Sequence, residues 1–207
     1  MSFERIVVAI SGSGRSLKNL LEKQSSFAYR VVGVISSNPS CTGNNIARDG
    51  KLPLKILDFR PQFQTENIKA ITTSLREWGC DGIVLAGFLK HWPAIEAWQK
   101  RVINIHPALL PRHGGQGMYG ERVHKAVILN KESESGATVH MVDEIYDHGS
   151  VISQIRVPVL SNDTVEELAK RVFAAECELL PRTIDKLAKS ELALNAQKVW
   201  SYDFHQK

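Results

Sequence analysis

Short apolar runs alternate with helically spaced leucines through the first half of the chain, and this alternation constrains the fold more than any other feature. RIVVAIS (5–11), YRVVGVIS (29–36), LPLKILDF (52–59), DGIVLAGF (81–88) and RVINIH (101–106) read as strands buried on both faces. Between them SLKNLLEKQ (16–24) sets Leu17, Leu20 and Leu21 on one helical face, Asn44–Asp49 fits a short helix, and Thr65–Trp78 fits a longer one. Parallel neighbours need crossovers, and right-handed crossovers put helices over the sheet. The expected fold is therefore α/β, a Rossmann-like, mostly parallel sheet with helices on both faces.

The pattern changes at Gly136. GATVHMVD (136–143) and SVISQIRVPV (150–159) are strand-like with a short polar link, which predicts an antiparallel carboxyl-terminal portion. SNDT (161–164) then opens a long amphipathic helix, with Thr164 and Glu167 at capping-box spacing. Residues 1–195 form one expected domain, and 196–207 read as a polar tail.

Composition narrows the partners. With 26 Lys plus Arg against 22 Asp plus Glu the net charge is +4, and the basic residues are scattered. Nucleic-acid binding needs a basic stripe or patch, so the excess favours small anionic ligands instead. Cys41, Cys80 and Cys177 are odd in number and widely spaced, which argues for neither a disulfide framework nor a metal site and fits a reducing cytoplasm. No apolar run reaches signal-peptide or membrane-span length, so neither export nor a membrane partner is expected. Monomer and homodimer both remain open.

SGSGRS (11–16) follows the first strand and opens the first helix, where free backbone N–H groups bind phosphate. Gly12 and Gly14 permit close approach, and Arg15 and Ser16 add a charge and a hydroxyl. A dinucleotide fingerprint would need glycine at Leu17 and an acid after the second strand, so a phosphate monoester fits better, and a tight turn needing glycine is the plain alternative.

In VINIHPALLP (102–111), Asn104 and His106 are two apart on one strand and point to the same side of the sheet at its carboxyl end. Pro107 keeps His106 extended. An amide and an imidazole delivered together into a cleft suit acyl transfer, where a carbonyl oxygen becomes an oxyanion. Asp147, in the link between the last two strands, is a carboxylate available to raise the His106 pKa; the structural alternative is a core histidine and a turn-forming aspartate.

N-I-H-P-x-L-L-P at 104–111, S-G-x-G at 11–14, L-A-G-F at 85–88 and H-x6-D-x-G from His140 through Asp147 to Gly149 together resemble the folate-dependent formyltransferases, over nearly the whole chain. The resemblance implies a catalytic triad of Asn104, His106 and Asp147, moving a formyl group from 10-formyltetrahydrofolate to the amine of glycinamide ribonucleotide without a metal. It implies phosphate binding by Gly14, Arg15 and Ser16, ribonucleotide contact by Gly87 and Glu176, and a folate side formed by Leu89, Lys90, His91, Val142 and Glu144. His140 matches a family histidine just outside the triad.

Two positions and one loop depart from the family pattern. Ser16 replaces the usual Asn and Lys90 a common Arg, and HGGQGMYGERVHKAV (113–127) is a longer, glycine-rich loop that reads as a candidate lid. His113 and His124 lie in or beside it without metal-ligand spacing. Formyltransferases acting on charged tRNA add a carboxyl-terminal domain for which little chain follows residue 190, and formyltetrahydrofolate hydrolases carry an extra amino-terminal domain. A sugar-nucleotide amine as acceptor stays open, as does a non-catalytic nucleotide-binding module, although the latter would not need Asn104, His106 and Asp147 together.

Overall fold

A computed structural model describes residues 3–192, 194 and 199–203. Among the described residues eight strands form one sheet in the order β3-β2-β1-β4-β5-β6-β7-β8. They are β1 (Arg5–Ile10), β2 (Arg30–Ser36), β3 (Leu54–Ile56), β4 (Gly82–Leu85), β5 (Val102–His106), β6 (Glu134–Met141), β7 (Val151–Pro158) and β8 (Trp200–Asp203). Strands β3 to β5 in that order are parallel, β6 runs antiparallel to both β5 and β7, and β8 is parallel to β7. The helices are α1 (Arg15–Lys23), α2 (Gly43–Asp49), α3 (Gln64–Glu77), α4 (Glu121–Leu129) and α5 (Val165–Ala188). The expected fold class is the one observed.

Strand periodicity splits the apolar residues between two layers. Ile6, Val8 and Ile10 of β1 pack with Leu17, Leu20, Leu179 and Ile184 from α1 and α5, while Val7 and Ala9 pack with Ile71 and Leu75 from α3 on the other face. The capping box at the start of α5 is formed: Thr164 Oγ1 accepts from the Glu167 N–H at 3.2 Å, and the Glu167 carboxylate accepts from the Thr164 N–H at 2.8 Å.

The chain begins in the middle of the sheet at β1, moves outward to β2 and β3, and returns beside β1 as β4. The carboxyl ends of β1 and β4 therefore lie at the point where strand order reverses, the usual ligand crevice of such sheets.

Four expectations change. The third and fourth strands are shorter, 54–56 and 82–85, because β3 is an edge strand and the chain after Leu85 turns into the crevice. The expected loop over 113–127 ends early: Glu121–Leu129 is helix α4, with Val123 and Val127 buried one turn apart. The expected tail contains β8, in which Trp200 and Tyr202 pack on the core; residues 195–198 and 204–207 lie outside the described residues.

Candidate active site

One cleft of about 820 Å³ opens at the carboxyl ends of β1, β4 and β5. At one end lies the glycine loop. Gly14 adopts φ 73°, and a Cβ there would stand 2.7 Å from the Gly43 Cα, so both conformation and space require glycine. The Gly43 N–H donates to the Gly12 carbonyl at 3.1 Å and fixes the loop. No side chain caps α1, so its first N–H groups remain available to an anion beside Arg15 and Ser16. The Arg15 guanidinium sits 4.1 Å above the Phe173 ring. Glu176, also on α5, faces this end rather than forming an outer helix face, and burial pushes its pKa up to about 8 against the pull of Arg15.

Opposite the glycine loop, the chain after β4 turns at Gly87, φ 69°, and presents Leu89, Lys90, His91 and Trp92 to the cleft. Ser11 ties the two loops together. Its N–H donates to the Gly87 carbonyl at 3.1 Å, and its hydroxyl accepts from the Leu89 N–H at 2.8 Å. Val142 lines the same wall, but Glu144 does not; it contributes its backbone carbonyl, 3.2 Å from His91 Nε2. The His91 and Tyr146 rings meet edge to face at 5.6 Å.

Between these ends the titratable groups converge. Ile103 and Ile105 enter the core beneath α1 and α5, which turns Asn104 and His106 to the other face of β5. Antiparallel pairing sets His140 of β6 opposite Asn104, and Thr138 opposite His106. The His140 Nδ1–H donates to the Met141 carbonyl at 2.7 Å, and its Nε2 stands 3.0 Å from the Asn104 amide nitrogen. Asp147 Oδ1 lies 3.4 Å from both Asn104 Nδ2 and His140 Nε2. Its Oδ2 accepts from the Gly115 N–H at 3.0 Å and stands 3.3 Å from His106 Nδ1. Burial favours the neutral carboxyl of Asp147, but its histidine neighbours and the Gly115 N–H outweigh burial and hold its pKa below the ordinary value.

His106 has an acceptor against each ring nitrogen: Asp147 at Nδ1, and the His113 carbonyl 2.9 Å from Nε2. Only the imidazolium satisfies both. Its ring is 3% exposed, however, and burial lowers its pKa more than Asp147 and the carbonyl raise it. The expected net rise is thus reversed, because desolvating a cation here costs more than one adjacent carboxylate returns.

The structure brings together Gly14, Arg15, Ser16, Gly87, Leu89, Lys90, His91, Asn104, His106, Val142, Asp147 and Glu176 around one cleft and leaves out the Glu144 side chain. Sequence reasoning missed the Gly115 N–H and His113 carbonyl contacts, which no side-chain pattern encodes, and undervalued His140, whose place beside Asn104 follows from strand register. It also left His124 in a loop, whereas α4 buries it in the cleft wall. Among the described residues no group of three or more His, Cys, Asp or Glu is placed to hold a metal.

A family model described as formyl transferase matches residues 4–184. The chain belongs to the formyl transferase family. This formyltransferase is similar to the phosphoribosylglycinamide formyltransferase, chloroplastic, of Arabidopsis thaliana, with 36% identity over 198 residues that cover 91% of this chain and 67% of the plant protein. With the protein of the same name from Vigna unguiculata it shares 36% over 206 residues, 97% of this chain and 64% of that one. The chain spans about two thirds of the length of these plant relatives. Among solved structures it resembles glycinamide ribonucleotide transformylase 1 from Symbiobacterium toebii, with a TM-score of 0.83, 32% identity, and coverage of 94% of this chain and 92% of that one.

Proposed function

We propose that this formyltransferase moves a formyl group from 10-formyltetrahydrofolate to the amine of glycinamide ribonucleotide, a step of purine biosynthesis. The observation that carries the reading is one cleft with an uncapped helix N-terminus and glycine loop at one end and the Asn104, His106 and Asp147 cluster beside it. A phosphorylated acceptor bound at Gly14, Arg15 and Ser16 extends its amine toward that cluster. Gly87 and Glu176 flank the acceptor; Leu89, Lys90, His91 and Val142 form the folate wall, which Glu144 borders through its backbone.

In this reading the amine nitrogen bonds to the formyl carbon and the carbonyl pair moves onto oxygen. Asn104 donates a hydrogen bond to that oxyanion, and the imidazolium form of His106 stabilises it by charge. The bond from the formyl carbon to folate N10 then breaks. The proton released by the amine passes to the departing N10 through water held by Asp147, so charge and protons balance. The reaction uses small molecules, with no metal, nucleic acid or membrane partner. Three free cysteines support a reducing, cytoplasmic setting, and no helix among the described residues is long and apolar enough to cross a membrane.

The experiment is release of tetrahydrofolate from 10-formyltetrahydrofolate, followed by absorbance with glycinamide ribonucleotide and with water alone. Release that depends on the ribonucleotide is the expected result. Release without it would make the chain a hydrolase, and dependence on a sugar-nucleotide amine would change the acceptor.

A further inference from the structure

His124 lies in the cleft wall, and the proposed chemistry leaves it without a task. It lies on the first turns of α4, is 5% exposed, and borders the same cleft as Asn104, His106 and Asp147. It is close enough to His106 for the two rings to feel each other's charge. Its Nδ1 is sealed from solvent and has no hydrogen-bond partner among the described residues. Its Nε2 is not among the sealed unpaired atoms, so the edge of the ring that remains open is the one carrying Nε2.

A sealed nitrogen without a partner decides the tautomer. Buried N–H groups lacking an acceptor are rarer than buried acceptors lacking a donor, so the proton belongs on Nε2. Burial, reinforced by His106, pushes the His124 pKa down to about 4, and the ring is therefore neutral at physiological pH. The result is a fixed N–H at the cleft surface with no acceptor among the described residues.

His106 lacks such a free donor. Its Nδ1 faces Asp147 and its Nε2 the His113 carbonyl, just as Asn104 Nδ2 faces His140 Nε2 and Asp147 Oδ1, so both residues must give up a partner to reach a substrate oxygen whereas His124 need not. We propose that His124 is a catalytic residue that donates its Nε2–H to the formyl oxyanion, sharing that oxygen with Asn104 while His106 acts by charge. The proposal rests on the formyl-transfer reading. The donor is ready before the reaction, because the neutral ring needs no proton transfer and its rotation is restrained by packing in α4.

The test compares the full chain with His124→Leu, His124→Gln and His124→Asn, measuring kcat and KM for each substrate together with thermal midpoints. Glutamine carries its amide nitrogen about as far from the backbone as Nε2; asparagine stops near Nδ1. His124→Leu is expected to lower kcat by about 10²-fold with little change in either KM, the usual loss for one oxyanion donor. His124→Gln is expected to recover at least about tenfold of that loss, and His124→Asn none. A leucine variant within about threefold of wild-type kcat would overturn the proposal, as would equal behaviour of the glutamine and asparagine variants. If the leucine variant fails to fold, the two amide variants still decide the matter. Absence of ribonucleotide-dependent transfer in the wild type would instead overturn the underlying reading, and the proposal with it.

Discussion

The phosphate end of the cleft and its reacting centre are built from different materials. The phosphate end is mostly backbone: Gly14 at φ 73°, an uncapped helix start, and the Gly43 N–H bonded to Gly12. The reacting centre is mostly side chain, with Asn104, His106, His140 and Asp147 drawn from β5, β6 and the following link into mutual contact. A backbone site binds through shape and partial charge and tolerates changes in side chains that only line it. An interlocked cluster works as a unit and fails with any member. Mutations in the two regions should therefore fail differently, in turnover at the centre and in affinity or stability at the phosphate end.

Asn104→Ala separates the two regions most widely. It removes a donor aimed at charge that develops during reaction, so kcat is expected to fall by about 10²–10³-fold while acceptor affinity holds. Kinetics paired with calorimetric binding of the ribonucleotide checks this, and equal losses in both would erase the distinction. Asp147→Asn comes next. It removes the carboxylate that favours the His106 cation, so the ring's pKa, already lowered by burial, falls further and less imidazolium is present at neutral pH. An NMR titration of the His106 ring shows the direction, and a turnover loss of about tenfold or more is expected.

This division of materials also explains what could be read from the chain alone. The glycine loop was legible because its parts are contiguous, and the pairing of Asn104 with His106 because strand periodicity places residues two apart on one face. His140 was harder to read: its contact with Asn104 depends on antiparallel register across 36 positions. Helix α4 was hidden behind the glycines at 114, 115, 117 and 120, although Val123 and Val127 carry an i, i+4 signal. Strand β8 is four residues long at a sheet edge, where Trp200 and Tyr202 are the whole apolar pattern. The sign of the His106 shift was misread because a nearby carboxylate is visible in sequence and the depth of burial is not.

Gly14→Ala probes the backbone end. The left-handed conformation alone costs an L-residue about 1–2 kcal/mol, and the added Cβ would stand 2.7 Å from the Gly43 Cα. A fall in thermal midpoint of roughly 5 °C or more is expected, together with a higher acceptor KM and a kcat near wild type. A kcat loss as large as that of Asn104→Ala, with KM unchanged, would place Gly14 in the chemistry rather than in binding.

The smallest effect is expected at Glu176, the titrating group at the phosphate end. With a pKa pushed up to about 8, this carboxyl keeps its proton at neutral pH and can donate a hydrogen bond beside Arg15. As pH rises through that value it becomes an anion near a bound phosphate, and repulsion on the order of 1 kcal/mol raises the acceptor KM by up to about tenfold. Glu176→Gln cannot ionise, so its acceptor KM should lack this alkaline rise and stay near the neutral-pH value. Stability follows the same sign. The folded state retains a proton that the unfolded chain releases near its ordinary value of 4.5, so Glu176 costs stability as pH rises from 4.5 toward 8. The glutamine variant escapes that cost, and its thermal midpoint should gain on the wild type across that window. Parallel pH profiles of KM for the two proteins would show that the phosphate end does not sense Glu176, leaving it a backbone site with no titrating partner.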